Sequence, residues 1–253
     1  MTAAARSGRG WIVYPAPNPS APVRLFCLPH GGGAASVFRD WAPCLPGVEV
    51  AAIQPPGRES RMGEPPLDRM GDLVDRLSAD IQRHLDRPFA LFGHSAGARV
   101  AFELARRLRA RGGPEPVRLY VSACPAPQLP QHQPLHTLPD GELTRLLREL
   151  GGTPPEVFEF PELVAMLLSV VRADFAVVET CSYTDEPPFD FPIHGFAGTG
   201  DPEANPREVD AWRALTRASF ALHVLAGDHF FPWEQRTALL GVVAADLATL
   251  SAC

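Results

Sequence analysis

The stretch RPFALFGHSAGARVAFELARRL, residues 87–108, decides the reading of this chain. A short apolar run of strand type, FALFG (89–93), gives way to a helical pattern that begins at AGARVAFELARRL. Ser95 stands between them with glycine at both −2 and +2. With 21 glycines in 253 residues, such a match is expected about 0.08 times by chance in a chain of this composition. The five residues GHSAG are therefore suggestive, and their setting has to decide. A serine that only caps a helix has no use for the two glycines. A nucleophile held at a sharp strand-to-helix turn needs both, because its backbone is strained and small neighbours let strand and helix approach. Gly93 and Gly97 supply this, with Ala98 small as well. The helix N-terminus would add backbone N–H groups and a positive dipole end beneath a reacting carbonyl. Ser95 is expected to be a nucleophile. His94, its neighbour, points away from it and is expected to be structural.

The rest of the chain supplies the matching architecture. Strand-like runs occur at 23–29 (VRLFCLP), 48–54 (VEVAAIQ), 89–93, 117–123 (VRLYVSA), 191–198 (FPIHGFAG) and 220–227 (FALHVLAG). Helical patterns fit between them: ASVFRDWAP after the first, LDRMGDLVDRLSADIQRHL before the third, and the helix after Ser95. In that last helix Ala101, Leu104, Ala105 and Leu108 form an apolar face, Arg106, Arg107, Arg109 and Arg111 are expected to be mostly solvated, and Gly112–Gly113 stop it. This alternation predicts an α/β protein with a mostly parallel sheet covered by helices on both faces. It breaks between about 124 and 190, where a Pro/Gln/His-rich link leads into DGELTRLLRELGG and PELVAMLLSVVRADFAVVETCSY. A helical insertion over the strand ends, about 128–188, is expected within one 253-residue domain. Segment 162–178 is apolar around most of its circumference, so Phe160, Met166, Leu167 and Phe175 are candidates for a pocket lining; plain helix–helix packing is the alternative.

A serine nucleophile needs a base and an orienting acid, which in this architecture follow in the order Ser, acid, His. His194 and His223 fall inside expected strands, His84 near a helix end, and His132 and His136 in the Pro-rich link. His229 follows the last strand and its glycine turn, where catalytic groups gather in open α/β sheets, and is the expected base. Asp201, in the loop FAGTGDPEANP after the preceding strand, is the expected acid, with Glu203 the alternative. Asp228 is too close in sequence to reach behind the ring. For an oxyanion hole one donor would be the Ala96 N–H; Gly31, in LPHGGGAAS after the first strand, would give the other. That loop lacks GxGxxG and GxxxxGK[ST], so nucleotide binding is not expected.

Composition narrows the classes. A net charge of −6, with every basic residue an arginine, argues against a nucleic-acid binder. No apolar run is long enough to span a bilayer, and the N-terminal stretch has no apolar signal core. Five scattered cysteines with no CxxC or Cys/His spacing are expected to be free thiols in a reducing cytoplasm, and no metal site is expected.

The chain also resembles the type II (external, editing) thioesterases of polyketide and nonribosomal peptide assembly lines, within the α/β-hydrolase superfamily. The likeness lies in LFCLPHGGGAASVFRDWAP, in PGRESR within VAAIQPPGRESRMGEPP, in LFGHSAGARVAFELA, in the helical segments LPDGELTRLLRELGGTPPEV and VRADFAVVETCSY, and in GDHFF. Two departures stand out: HGGG where the family commonly has His-Ala-Gly-Gly, and Cys181 where an aromatic residue is usual. The resemblance implies the α/β-hydrolase fold and the same site residues: Ser95, Asp201, His229, Gly31 and Ala96. Phe230, beside the histidine, is a further candidate for the pocket lining. It implies hydrolysis of acyl groups from the phosphopantetheine thiol of acyl or peptidyl carrier proteins, through an acyl-serine and with no cofactor. A monomer is expected. Carrier proteins are usually acidic, so a local basic patch would be needed for docking; Arg58, Arg61 and Arg99 are candidates, unless they are simply solvated. The alternatives are a small-molecule esterase or lipase, an acyltransferase of the same fold, and a catalytically silent binding protein of this fold.

Overall fold

A computed structural model describes residues 10–130 and 134–251; His132, Cys253 and the first nine residues of the N-terminal stretch lie outside them. Seven strands form one sheet: β1 (Ile12–Val13), β2 (Val23–Leu28), β3 (Val48–Ile53), β4 (Phe89–His94), β5 (Arg118–Ser122), β6 (Ile193–Gly198) and β7 (Phe220–Leu225). Their order is β1-β3-β2-β4-β5-β6-β7. β1, too short for any periodic signal, adds to the edge antiparallel through Ile12 opposite Ile53, and the other strands run parallel. β2, β3 and β4 are buried along their whole length, which is why they read as continuous apolar runs rather than alternating ones.

The helices are α1 (Met70–Ile81), α2 (Ala96–Ala110), α3 (Asp140–Leu150), α4 (Pro161–Glu179), the short α5 (Pro206–Asp210) and α6 (Phe231–Glu234), and α7 (Arg236–Ala248). Leu73, Val74 and Leu77 of α1 and Ala101, Leu104 and Leu108 of α2 cover one face of the sheet. Leu239, Leu240 and Val243 of α7 cover the other with Phe38 and Trp41. The expected helix at ASVFRDWAP is instead two 3-10 turns, Ala35–Phe38 and Ala42–Cys44. Its buried residues, Ala35, Phe38 and Trp41, recur every third position, the period of a 3-10 turn.

Between β5 and β6, α3 and α4 pack on each other through Leu143, Leu147, Leu168 and Val171. Arg106 of α2 is buried, against the solvated position expected for it. It donates to the Thr184 carbonyl at 2.8 Å and pairs with Glu186, and Arg109 donates to the Pro187 carbonyl at 2.9 Å. The segment after α4 is thereby tied to α2. Among the described residues no helix is long and apolar enough to cross a membrane, and Cys27, Cys44, Cys124 and Cys181 form no disulfide.

Candidate active site

Ser95 lies between β4 and α2 with φ 54° and ψ −122°, a backbone region that a side chain enters only under strain. The two glycines earn their places by close contact. A Cβ on Gly93 would lie 2.3 Å from the Gly97 carbonyl oxygen, and one on Gly97 would lie 2.3 Å from the Leu28 carbonyl oxygen. The Ser95 N–H donates to the Ser122 carbonyl at 2.8 Å, fixing the turn to β5. The Ser95 side chain makes no capping bond to α2, so its hydroxyl is left for other chemistry.

The loops after β6 and β7 are stitched together: the Gly200 N–H donates to the Gly227 carbonyl at 2.8 Å. This brings Asp201 to His229. The ring Nδ1 lies 3.0 Å from both carboxylate oxygens of Asp201, whose side chain is fully buried. Asp201 also accepts the N–H groups of Glu203 (2.8 Å) and Ala204 (3.2 Å), which hold it oriented. With Nδ1–H committed to Asp201, Nε2 is the free nitrogen of the ring. Burial pushes His30 down to about 4 and His94 well below the ordinary histidine range, so both stay neutral near pH 7. His94 is held against Ser122 Oγ at 3.1 Å, in keeping with a structural place.

Ser95 and His229 open onto two chambers, with Phe175 in the wall of both. The first, about 170 Å³, runs past Ala96, Arg99, Cys124, Leu129 and Glu179. The second, about 220 Å³, runs past Gly31, Gly32, Leu147, Leu167 and Phe230. Leu167, Phe175 and Phe230 line these chambers. Phe160 and Met166 do not: they are 48% and 44% exposed. With Leu163 they recur every third residue on the outer face of α4, whereas Leu167, Val171 and Phe175 recur every fourth on the inner one.

The three arginines expected at a docking surface are also elsewhere. Arg58, Arg61 and Arg99 are each at least nine-tenths buried. Arg61 pairs with Glu64, donates to the Gln54 carbonyl at 3.0 Å and stacks 4.4 Å from the Trp11 ring centre. Arg58 forms a two-pronged ion pair with Asp174 of α4, at 2.5 and 2.8 Å, and donates to the Gly33 carbonyl at 3.1 Å. Asp174 in turn accepts the Gly32 N–H at 2.7 Å. The glycine loop after β2 is therefore clamped between the PGRESR segment and α4. Asp174 escaped the sequence reading, although a carboxylate within a nearly apolar helix was a visible signal for a buried partner.

Taken together, the sheet order, the strained serine after β4 and the carboxylate-backed histidine after β7 define an α/β-hydrolase fold. Residues 23–247 match the family model described as "Thioesterase domain", and the chain belongs to that family. It is 39% identical to the gramicidin S biosynthesis protein GrsT of Aneurinibacillus migulanus, over 94% of this chain and 93% of that protein. Among solved structures it is similar to RedJ, a thioesterase of the prodiginine pathway in Streptomyces coelicolor (39% identity, TM-score 0.84, covering 89% of this chain and 91% of RedJ). It is also similar to the type II thioesterase BorB of the borrelidin cluster (41% identity, TM-score 0.84, covering 93% and 96%).

Proposed function

We propose that this thioesterase releases acyl groups from the phosphopantetheine thiol of acyl or peptidyl carrier proteins, clearing stalled or wrong chains from a polyketide or peptide assembly line. Ser95 is the nucleophile, His229 the base and Asp201 the acid that orients it. His229 Nε2 takes the Ser95 proton as Oγ attacks the thioester carbonyl, and Asp201 stabilises the imidazolium. The N–H groups of Gly31 and Ala96 receive the oxyanion; Ala96 is the first residue of α2, so its N–H has no acceptor within the helix. The C–S bond breaks and the thiolate takes the proton from His229, leaving an acyl-serine. Water, deprotonated by His229, attacks that ester; the acid departs and Ser95 regains its proton. No cofactor takes part.

The observation that carries this reading is one serine, strained into the open at the meeting point of two chambers, beside a histidine backed by a buried carboxylate. Two chambers suit a substrate with two arms, an acyl group and a pantetheine thiol. The helical insertion at about 128–188 serves as a lid over the site, on one cytoplasmic, monomeric domain. The family resemblance supports the carrier-protein substrate, and the names of relatives point to biosynthetic pathways of this kind. The test is to supply wild type and Ser95→Ala with a carrier-bound acyl thioester, the matched acyl-CoA and a matched free ester. Carrier-bound thioester is expected to turn over fastest, with an acyl adduct on Ser95 seen by intact-protein mass. Faster turnover of the free ester makes the protein an esterase instead.

A further inference from the structure

Arg99 lies one helical turn after Ser95 on α2 and lines the first chamber, although it is only 5% exposed. Its Nε and Nη2 are sealed from solvent and have no hydrogen-bond partner among the described residues. Other buried arginines of this chain are hydrogen-bonded to carboxylates: Arg24 to Glu49, Arg58 to Asp174, Arg61 to Glu64 and Arg106 to Glu186; the Glu103 carboxylate and the Cys181 thiol lie beside the Arg99 guanidinium but leave those two nitrogens unmatched. A buried donor left without an acceptor is destabilising, the more so when it is charged. In a chamber that starts at the nucleophile, the absent acceptor has an evident source in the substrate. Its character follows from the neighbours. Glu179 and Glu203 line the same chamber, so an anionic group there would meet two carboxylates as well as one guanidinium. Glu179 already accepts the N–H groups of Leu135 and His136, both at 2.9 Å, and its carboxylate is fixed in place. A neutral oxygen acceptor meets the guanidinium without that repulsion.

We infer that Arg99 makes the first chamber a recognition site for acyl groups that carry a neutral oxygen, an oxo or hydroxyl group, in preference to saturated hydrocarbon chains. This rests on the proposed thioesterase chemistry at Ser95.

The test compares hexanoyl, 3-oxohexanoyl, 5-oxohexanoyl and glutaryl groups on one carrier protein, hydrolysed by wild type, Arg99→Met and Arg99→Lys. Wild type is expected to favour an oxoacyl group over hexanoyl at least ten-fold in kcat/KM, with glutaryl poorer than the favoured oxoacyl group. In Arg99→Met the ratio of oxoacyl to hexanoyl kcat/KM is expected to fall toward one, and Arg99→Lys should restore part of it. Equal losses on all four substrates, or an unchanged ratio, overturn the inference; so does a preference for glutaryl, which would make the chamber an anion site. Should Arg99→Met not fold, as judged by circular dichroism, Arg99→Gln takes its place and is read by the same ratio. Failure of wild type to release even hexanoyl from the carrier protein counts against the thioesterase reading rather than against Arg99.

Discussion

The elbow at Ser95 and the glycine loop after β2 lie side by side at the strand ends, yet they are held by different means. Backbone holds the elbow. Gly93 and Gly97 press against Gly97 and Leu28 carbonyls, and the Ser95 N–H is fixed to Ser122. The glycine loop is held by side chains from far along the chain: Asp174 accepts the Gly32 N–H across 142 residues, and Arg58 reaches Asp174 across 116. A loop secured by close backbone contact has to write glycines into its own sequence. A loop secured by an ion pair leaves its mark in two distant segments, each of which looks unexplained by itself.

The sharpest way to break the comparison is at the elbow. Gly97→Ala puts a Cβ against the Leu28 carbonyl, where neither backbone can yield; it is expected to cost more than about 4 kcal/mol and to abolish soluble folded protein. Ser95→Ala is expected to fold normally while turnover falls by about 10³-fold or more, measured as thiol release from an acyl carrier protein beside a thermal melt.

At the clamp the effect is smaller and of a different kind. Arg58→Leu leaves the Asp174 carboxylate buried without its cation and is expected to remove about 3–5 kcal/mol of stability in a urea titration. The double variant Arg58→Leu, Asp174→Leu should regain much of that loss, because no charge is then stranded. It should not regain kcat, since the Gly32 N–H has lost its anchor; full recovery of kcat would show that the glycine loop orders itself.

Acid offers a milder probe of the same region. His30 and His94 are neutral when folded, with pKa values pushed below the unfolded value of about 6.5. The unfolded chain therefore binds more protons between about pH 6.5 and 4, so their contribution to stability is complete above 6.5 and is lost as pH falls through that window. Thermal midpoints measured from pH 7 to 4 should fall less steeply in His30→Gln than in wild type. The smallest expected effect is on the outer face of α4: Met166→Ser and Phe160→Ser should leave kcat/KM within about two-fold, as ordinary surface substitutions do. Leu167→Ala, on the inner face of the same helix, should change the preferred acyl length in a substrate series.

Much of the fold was legible because parallel strands buried on both faces must be continuous apolar runs, and such runs were visible in order, followed by the part-buried last strand. The pairing of His229 with Asp201 was legible from position alone, since both follow the ends of adjacent strands. What misled was any residue whose partner lay far away. Arg58, Arg61 and Arg99 looked like surface charge because arginine usually is, but Asp174, Glu64 and the Ser95 chamber gave them places inside. Phe160 and Met166 looked like pocket because α4 is apolar nearly all round, and an all-round apolar helix does not say which face is covered.

By itself, then, the sequence determined the sheet, the elbow and the order of serine, carboxylate and histidine, because each depends on local periodicity or on glycines in contact with near neighbours. The tertiary structure alone decided which face of α4 meets the site, how the glycine loop is clamped, and that GHSAGAR carries a second polar group, Arg99, into the chamber beside its serine. Those depend on side chains more than a hundred residues apart, or on the absence of a partner, and neither leaves a local pattern to read.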